Sequence, residues 1–260
     1  MSKITKAFQG GKAFIGFLTG GDPSKEKTIE YILAMAEAGA DVIEIGIPFS
    51  DPIAEGPVIQ NANLRALSNE FNTDDVFEVV EEVRKNTNVP LAFLTYINPV
   101  FYYGYEKFFK RCNELDINGI IIPDLPYEEK EEILDVATKY DVDIISLIAP
   151  TSKKRIKTIA KDATGFIYLV SSMGVTGVRT EIKTDLKDIV NDIREVTNIP
   201  VSVGFGINTP EQAKEIAKIA DGVIVGSAIV KIIEEHGYDA KDHIIDYVSK
   251  MKNATMLNNA

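Results

Sequence analysis

A chain of 260 residues is long enough to bury a core without disulfide or metal staples, which excludes a mini-protein scaffold. With 45% hydrophobic and 26% charged residues it has the composition of an ordinary globular domain, and no apolar run reaches the roughly 18 residues of a membrane span. A net charge of −11, with no Lys/Arg stripe interleaved with aromatics to reverse it locally, argues against a nucleic-acid partner.

The opening segment Met1–Gly10 carries Lys3 and Lys6 but no apolar stretch after them, so it does not read as a secretory signal and the expected compartment is the cytoplasm. From there, short apolar, β-branched runs recur at Ala13–Leu18, Val42–Ile47, Leu91–Thr95, Gly119–Ile122, Asp143–Ile148, Phe166–Val170, Val201–Val203 and Val223–Val225. Each run is followed by a Gly/Pro/Asp/Ser turn and a segment with helical apolar spacing. Eight strands alternating with helices predict a single (β/α)8 barrel domain over residues 1–260; an open, doubly wound sheet is the alternative that strand count leaves standing.

Helix signals fall between the runs. Gly39 stops a helix over Ile29–Ala38, Thr73-Asp-Asp starts Val76–Lys85, and Thr209-Pro-Glu starts Gln212–Ile219. Glu82–Leu91 and Asp192–Val201 resemble each other as helix-to-strand turns, a faint internal repeat. The polar tail from about Asn253 is expected to fray.

A barrel of this kind places chemistry at the C-terminal ends of its strands. No lysine lies within the eight runs, which argues against Schiff-base chemistry. The two histidines, His236 and His243, and the single cysteine, Cys112, lie away from strand ends, so no metal site is expected. Carboxylates remain. In Asp41–Ile47 the alternation sends Ile43, Ile45 and Ile47 to the helices and Glu44 into the barrel, where desolvation raises its pKa. The three prolines of Pro48–Pro57 restrict the next loop; Asp51 and Glu55 are either held at the barrel mouth or part of a solvated acidic loop.

Gly204-Phe-Gly and Gly226-Ser, after the last two strands, suit the approach of backbone N–H groups to a phosphate, the second at a helix start. Ser171–Thr180 reads as a lid or as a plain surface loop. Phe17, Leu94, Tyr96 and Tyr168 at strand ends line a flat pocket or serve the core.

Taken together, Val42–Pro57 resembles the signature of the tryptophan synthase alpha subunit family. Phe17–Pro23, Tyr96–Pro99, Pro123–Pro126, Tyr168–Ser171, Gly174–Gly177, Gly204–Gly206 and Gly226-Ser227 follow in that family's order along nearly the whole chain. The resemblance implies a (β/α)8 barrel that cleaves indole-3-glycerol phosphate by a retro-aldol reaction into indole and glyceraldehyde 3-phosphate. It implies Glu44 as general acid/base and Glu55 as acceptor for the indole N–H. Gly177, Gly206, Gly226 and Ser227 would bind phosphate; Phe17, Leu94, Ile121 and Tyr168 would form the indole pocket, with Tyr96 and Phe205 also in the substrate pocket and Thr176 in the lid.

No cofactor is implied in this chain. Asp51 and Pro52 match a surface that meets a β subunit carrying pyridoxal phosphate, in an αββα complex that passes indole through a tunnel. The family usually carries Asp at position 55, and one methylene more moves the carboxylate by about 1.5 Å, a displacement able to cost about a hundredfold in rate. Two related readings are a stand-alone indole-releasing lyase and a docking or activating subunit with weak chemistry of its own. A phosphosugar isomerase or epimerase would need a metal-binding histidine pair or another acid/base set that the strand ends lack.

Overall fold

The computed structural model describes the backbone of residues 1–171 and 180–256 and the side chains of all of these but 180–185. Its strands are β1 Ala13–Thr19, β2 Val42–Gly46, β3 Leu91–Leu94, β4 Ile117–Ile121, β5 Asp143–Ile144, β6 Ser146–Ile148, β7 Ile167–Val170, β8 Val201–Gly204 and β9 Gly222–Val225. Every pair is parallel, in the order β5-β4-β3-β2-β1-β9-β8-β7-β6. The two ends of that order, β5 and β6, are separated in sequence only by Ile145, so the ring closes through one residue.

That junction is where the structure departs from the expected single run Asp143–Ile148. β5 pairs with β4 and β6 with β7, and the Ile145 N–H donates to the Ile120 carbonyl at 2.9 Å. The side chains nevertheless alternate as in one strand: Ile144 and Ile148 join the layer under the helices, and Ile145 and Leu147 face the interior. Hydrogen bonding changes partner at the break while the packing does not.

The two-fold alternation sorts the whole sheet into two cores. Ile43, Ile45 and Ile47 pack outward against the helices, whereas Ile15, Val42, Ala92, Ile121, Phe166 and Ile224 fill the barrel interior. The short helix Lys3–Lys6, in the segment expected only to precede the first strand, drives Ile4 into this interior cluster and closes its lower end. Gly119 leaves the room, since a Cβ there would stand 2.6 Å from the Ile4 side chain.

Helix signals hold with small shifts. Thr209 caps Pro210–Ala217 through a capping box with Gln212. Asn72, one residue before the expected Thr73, caps Thr73–Arg84 with Asp75. Gly39 takes φ 95° just beyond Lys25–Glu37, a left-handed turn that favours glycine. The repeated helix-to-strand turns share one hydrogen bond: the Val89 N–H donates to Thr87 Oγ1 at 3.2 Å and the Ile199 N–H to Thr197 Oγ1 at 3.3 Å.

Asn253–Thr255, expected to fray, end the helix Lys241–Thr255, with Thr255 buried. Among the described residues no helix is long and apolar enough to cross a membrane.

Candidate active site

Glu44 lies on β2 opposite Phe17 of β1 and Ala92 of β3, pointing into the barrel as the alternation requires. It is 1% exposed, and its Oε1 has no hydrogen-bond partner. Burial without a cation pushes the carboxyl up to about 8, so near neutral pH it is a protonated acid. A buried, unpaired polar atom is costly in a packed core. Glu44 is also part of the wall of a cavity of about 620 Å³ at the C-terminal end of the barrel.

Glu55 lines the same cavity. Pro57 begins the helix Pro57–Ser68, and eight residues after Glu55 the buried Asn63 donates its side-chain N–H to Glu55 Oε2 at 2.6 Å. The Tyr96 hydroxyl accepts from the Ala54 N–H at 3.2 Å and lies near enough to the Glu55 carboxylate for each to shift the other's pKa. Burial raises the Glu55 pKa, and the bonds from Asn63 and Tyr96 oppose the rise. Asp51, on the same loop, is exposed and bonded to Ser50, away from the cavity. The loop thus separates its two acids, ordering one and leaving the other at the surface.

At the far side of the cavity stand Phe205, Gly206, Gly226 and Ser227. Phe205 and Gly206 take φ 86° and 78° in succession. For phenylalanine that conformation costs about 1–3 kcal/mol, a strain that persists only where the surroundings impose it. The helix Ser227–His236 starts against the cavity, so its first N–H groups, on Ser227 and Ala228, have no carbonyl within the helix and face an anion favourably. Gly226 abuts Phe17, with the site of a Cβ 3.3 Å from the ring, which joins the glycine-lined part of the cavity to its apolar part.

Phe17, Leu94 and Tyr168 line the apolar part of the cavity. Ile121 and Tyr96 do not reach the lining. Ile121 is fully buried in the interior cluster beneath Leu94 and Tyr168, and Tyr96 is turned to Glu55 and the neighbouring Phe49 ring. Thr176 and Gly177, with most of the expected lid, lie outside the described residues. A larger hollow of about 940 Å³ opens at the opposite end of the barrel, but its cations are paired: Lys12 and Arg194 with Asp221, and Lys252 with Asp41. No group of three or more metal-ligating side chains occurs among the described residues.

Comparison with known proteins meets this geometry. The sequence profile of the tryptophan synthase alpha chain matches residues 4–258. The chain belongs to the tryptophan synthase alpha chain family. The alpha chain of Lacticaseibacillus casei is 52% identical over 252 residues, covering 97% of this chain and 95% of that one. That of Thermoanaerobacter sp. (strain X514) is 45% identical over 260 residues, covering 97% and 99%.

Among solved structures, tryptophan synthase subunit alpha of Legionella pneumophila str. Paris superposes with a TM-score of 0.89 at 36% identity, covering 98% of each chain. A chain of the Pyrococcus furiosus tryptophan synthase α2β2 complex superposes with a TM-score of 0.86 at 37% identity, covering 94% of this chain and 99% of that one.

In this member of the tryptophan synthase alpha chain family, sequence reasoning missed Asn63, the role of Tyr96 toward Glu55, and Lys231 on the cavity wall. Lys231 was within reach, because it lies one helical turn after Ser227 and so shares its face. Asn63 and Tyr96 carry no local signal, since each acts on an acid distant in sequence.

Proposed function

We propose that the chain, acting as one barrel domain in the cytoplasm, cleaves indole-3-glycerol phosphate to indole and glyceraldehyde 3-phosphate. The observation that carries this reading is the buried Glu44 carboxyl, its Oε1 without a partner, in the wall of a cavity that is lined on one part by Phe17, Leu94 and Tyr168 and on another by Gly206, Gly226 and the start of a helix at Ser227. The indole ring lies among Phe17, Leu94 and Tyr168, with Ile121 packed behind them. The phosphate lies at Gly206, Gly226 and Ser227, with Phe205 beside it, and Gly177 and Thr176 serve the same end and its lid.

Glu44 delivers its proton to the indole ring carbon that bears the glycerol chain, which dearomatises the ring and builds positive charge on the nitrogen. As the carbon–carbon bond breaks, its electron pair returns to the ring. The adjacent hydroxyl becomes the aldehyde and gives its proton back to Glu44, so the acid is restored. Glu55, held by Asn63 with Tyr96 beside it, accepts the indole N–H hydrogen bond as that charge grows. Nothing in this sequence of steps calls for a cofactor in the chain.

The partner is a β subunit in an αββα assembly, where pyridoxal phosphate supplies the chemistry that condenses indole with serine. Its docking surface is the loop bearing Asp51 and Pro52. Exposed Ile53, on the loop after β2, and Phe101 and Tyr102, on the helix Ile97–Tyr103 that follows β3, support that assignment.

The test is indole release from indole-3-glycerol phosphate by the purified chain, alone and with a tryptophan synthase β subunit from a relative. Slow release that rises strongly with the partner is expected. Fast release without it would favour a stand-alone lyase, and none in either case would leave a docking role.

A further inference from the structure

Ser171, the residue following β7, is 1% exposed and does not line the cavity, yet it holds the segment that does. Its N–H donates to the Gly204 carbonyl at 3.0 Å. Its Oγ lies 2.8 Å from the Phe205 carbonyl oxygen and 3.0 Å from that of Gly204, so one hydroxyl proton is shared between two successive peptides. Those peptides lead into the two left-handed residues, Phe205 and Gly206.

A trans peptide is planar, with its C=O and N–H pointing opposite ways. The Phe205–Gly206 bond is trans, so fixing the Phe205 carbonyl on Ser171 turns the Gly206 N–H away from Ser171. Gly206 lines the cavity and Ser171 does not, and the Gly206 N–H has no hydrogen-bond partner among the described residues. An N–H left free beside a cavity is a donor for an anion, but a free peptide at positive φ has no reason to hold one orientation. Ser171 supplies that reason.

We infer that Ser171 is the positioning residue of the phosphate subsite, orienting the Gly206 N–H through the Phe205 carbonyl without itself touching substrate. The inference rests on the phosphate reading of this end of the cavity. It predicts an effect confined to ligands that carry a phosphate, because the apolar end is built by residues that Ser171 does not hold.

Calorimetric titration of the purified chain with glycerol 3-phosphate and, separately, with indole tests it. In Ser171→Ala, affinity for glycerol 3-phosphate falls at least about tenfold, a loss of about 1.4 kcal/mol, while affinity for indole stays within about twofold. Ser171→Thr, which keeps the hydroxyl, recovers most of the loss. Ser171→Cys, which fills the space with a weak donor, behaves as the alanine variant does and takes its place if alanine impairs folding. In steady-state cleavage the alanine variant raises KM more than it lowers kcat.

Unchanged binding of glycerol 3-phosphate in the variants, or equal loss of both ligands, overturns the inference, the latter by making Ser171 merely structural. Failure of the unaltered chain to bind glycerol 3-phosphate would instead overturn the phosphate reading beneath it.

Discussion

The ring of Phe17 lies over Gly46: a methyl group on Gly46 would come within 2.8 Å of the ring's tip. The two residues sit on neighbouring strands, and Phe17 is paired with Glu44, two residues before Gly46. A missing side chain on β2 therefore decides where the wall of the pocket stands relative to the acid. Substituting Gly46→Ala pushes Phe17 toward the cavity, and overpacking of this kind costs about 1–3 kcal/mol. The expected result is a rise of about tenfold or more in the dissociation constant for indole, read by titration, with a smaller effect on glycerol 3-phosphate.

Glu44→Gln removes the transferable proton and keeps the shape. Cleavage should fall by at least about a thousandfold, while glycerol 3-phosphate still binds nearly as before. Single-turnover assays and equilibrium titration check the two halves, and a variant retaining most of its rate would remove Glu44 from the mechanism.

The pH dependence of stability follows from the raised Glu44 pKa. Its protonated form fits the fold, so the Glu44 contribution is fully present below about pH 4.5 and is lost as pH rises toward about 8, beyond which it levels off. Relative to Glu44→Gln, the unaltered chain should lose about 3 kcal/mol between pH 4.5 and pH 7 from this group. Paired urea denaturation curves across that range measure the difference, and parallel pH profiles for the two proteins would contradict it.

The pH dependence of the rate carries the same sign. The acid must be protonated to begin, so kcat should decline above about pH 8 as Glu44 ionises. A rate that climbs steadily through pH 9 in buffers of constant ionic strength would assign the proton to another group.

Asn63→Ala takes away a bond that lowers the Glu55 pKa. The Glu55 carboxyl should then titrate higher, shifting the acidic limb of kcat/KM upward in pH and lowering the neutral rate by about tenfold. The pH–rate profile of the variant beside that of the unaltered chain reads both effects.

Arg65 lies on the helix that bears Asn63 and makes two hydrogen bonds, at 2.8 and 2.9 Å, to Asp22, which is 1% exposed. It also reaches Glu234 on the helix that begins at Ser227. Arg65→Met leaves the Asp22 carboxylate buried and unpaired and should cost about 3 kcal/mol of stability. A midpoint in urea unchanged from the unaltered chain would refute this.

Much of the architecture was legible because it is periodic. The two-fold alternation of Val42–Ile47 is a local property of the chain, and it sent Glu44 inward and the isoleucines outward without reference to any other segment. Capping at Thr209 and the left-handed turn at Gly39 were likewise written in neighbouring residues. The closure at Ile145 was not, because a strand's sequence states which faces it presents but not which neighbours its N–H and C=O groups choose.

The sequence by itself therefore determined the alternation of strands and helices, the inward acid and the glycine-rich turns after the last two strands, since periodicity and turn chemistry are carried by short stretches of chain, whereas strand count left barrel closure open. The tertiary structure alone decided which acid of the proline-rich loop enters the site, what holds it, and what orients the peptide at Gly206. Asn63 meets Glu55, Tyr96 meets the same carboxylate, and Ser171 meets Phe205 only because the barrel brings separate strand ends to one rim. Hydrogen bonds act over about 3 Å, so contacts between residues remote in sequence exist only once the fold has set their distance.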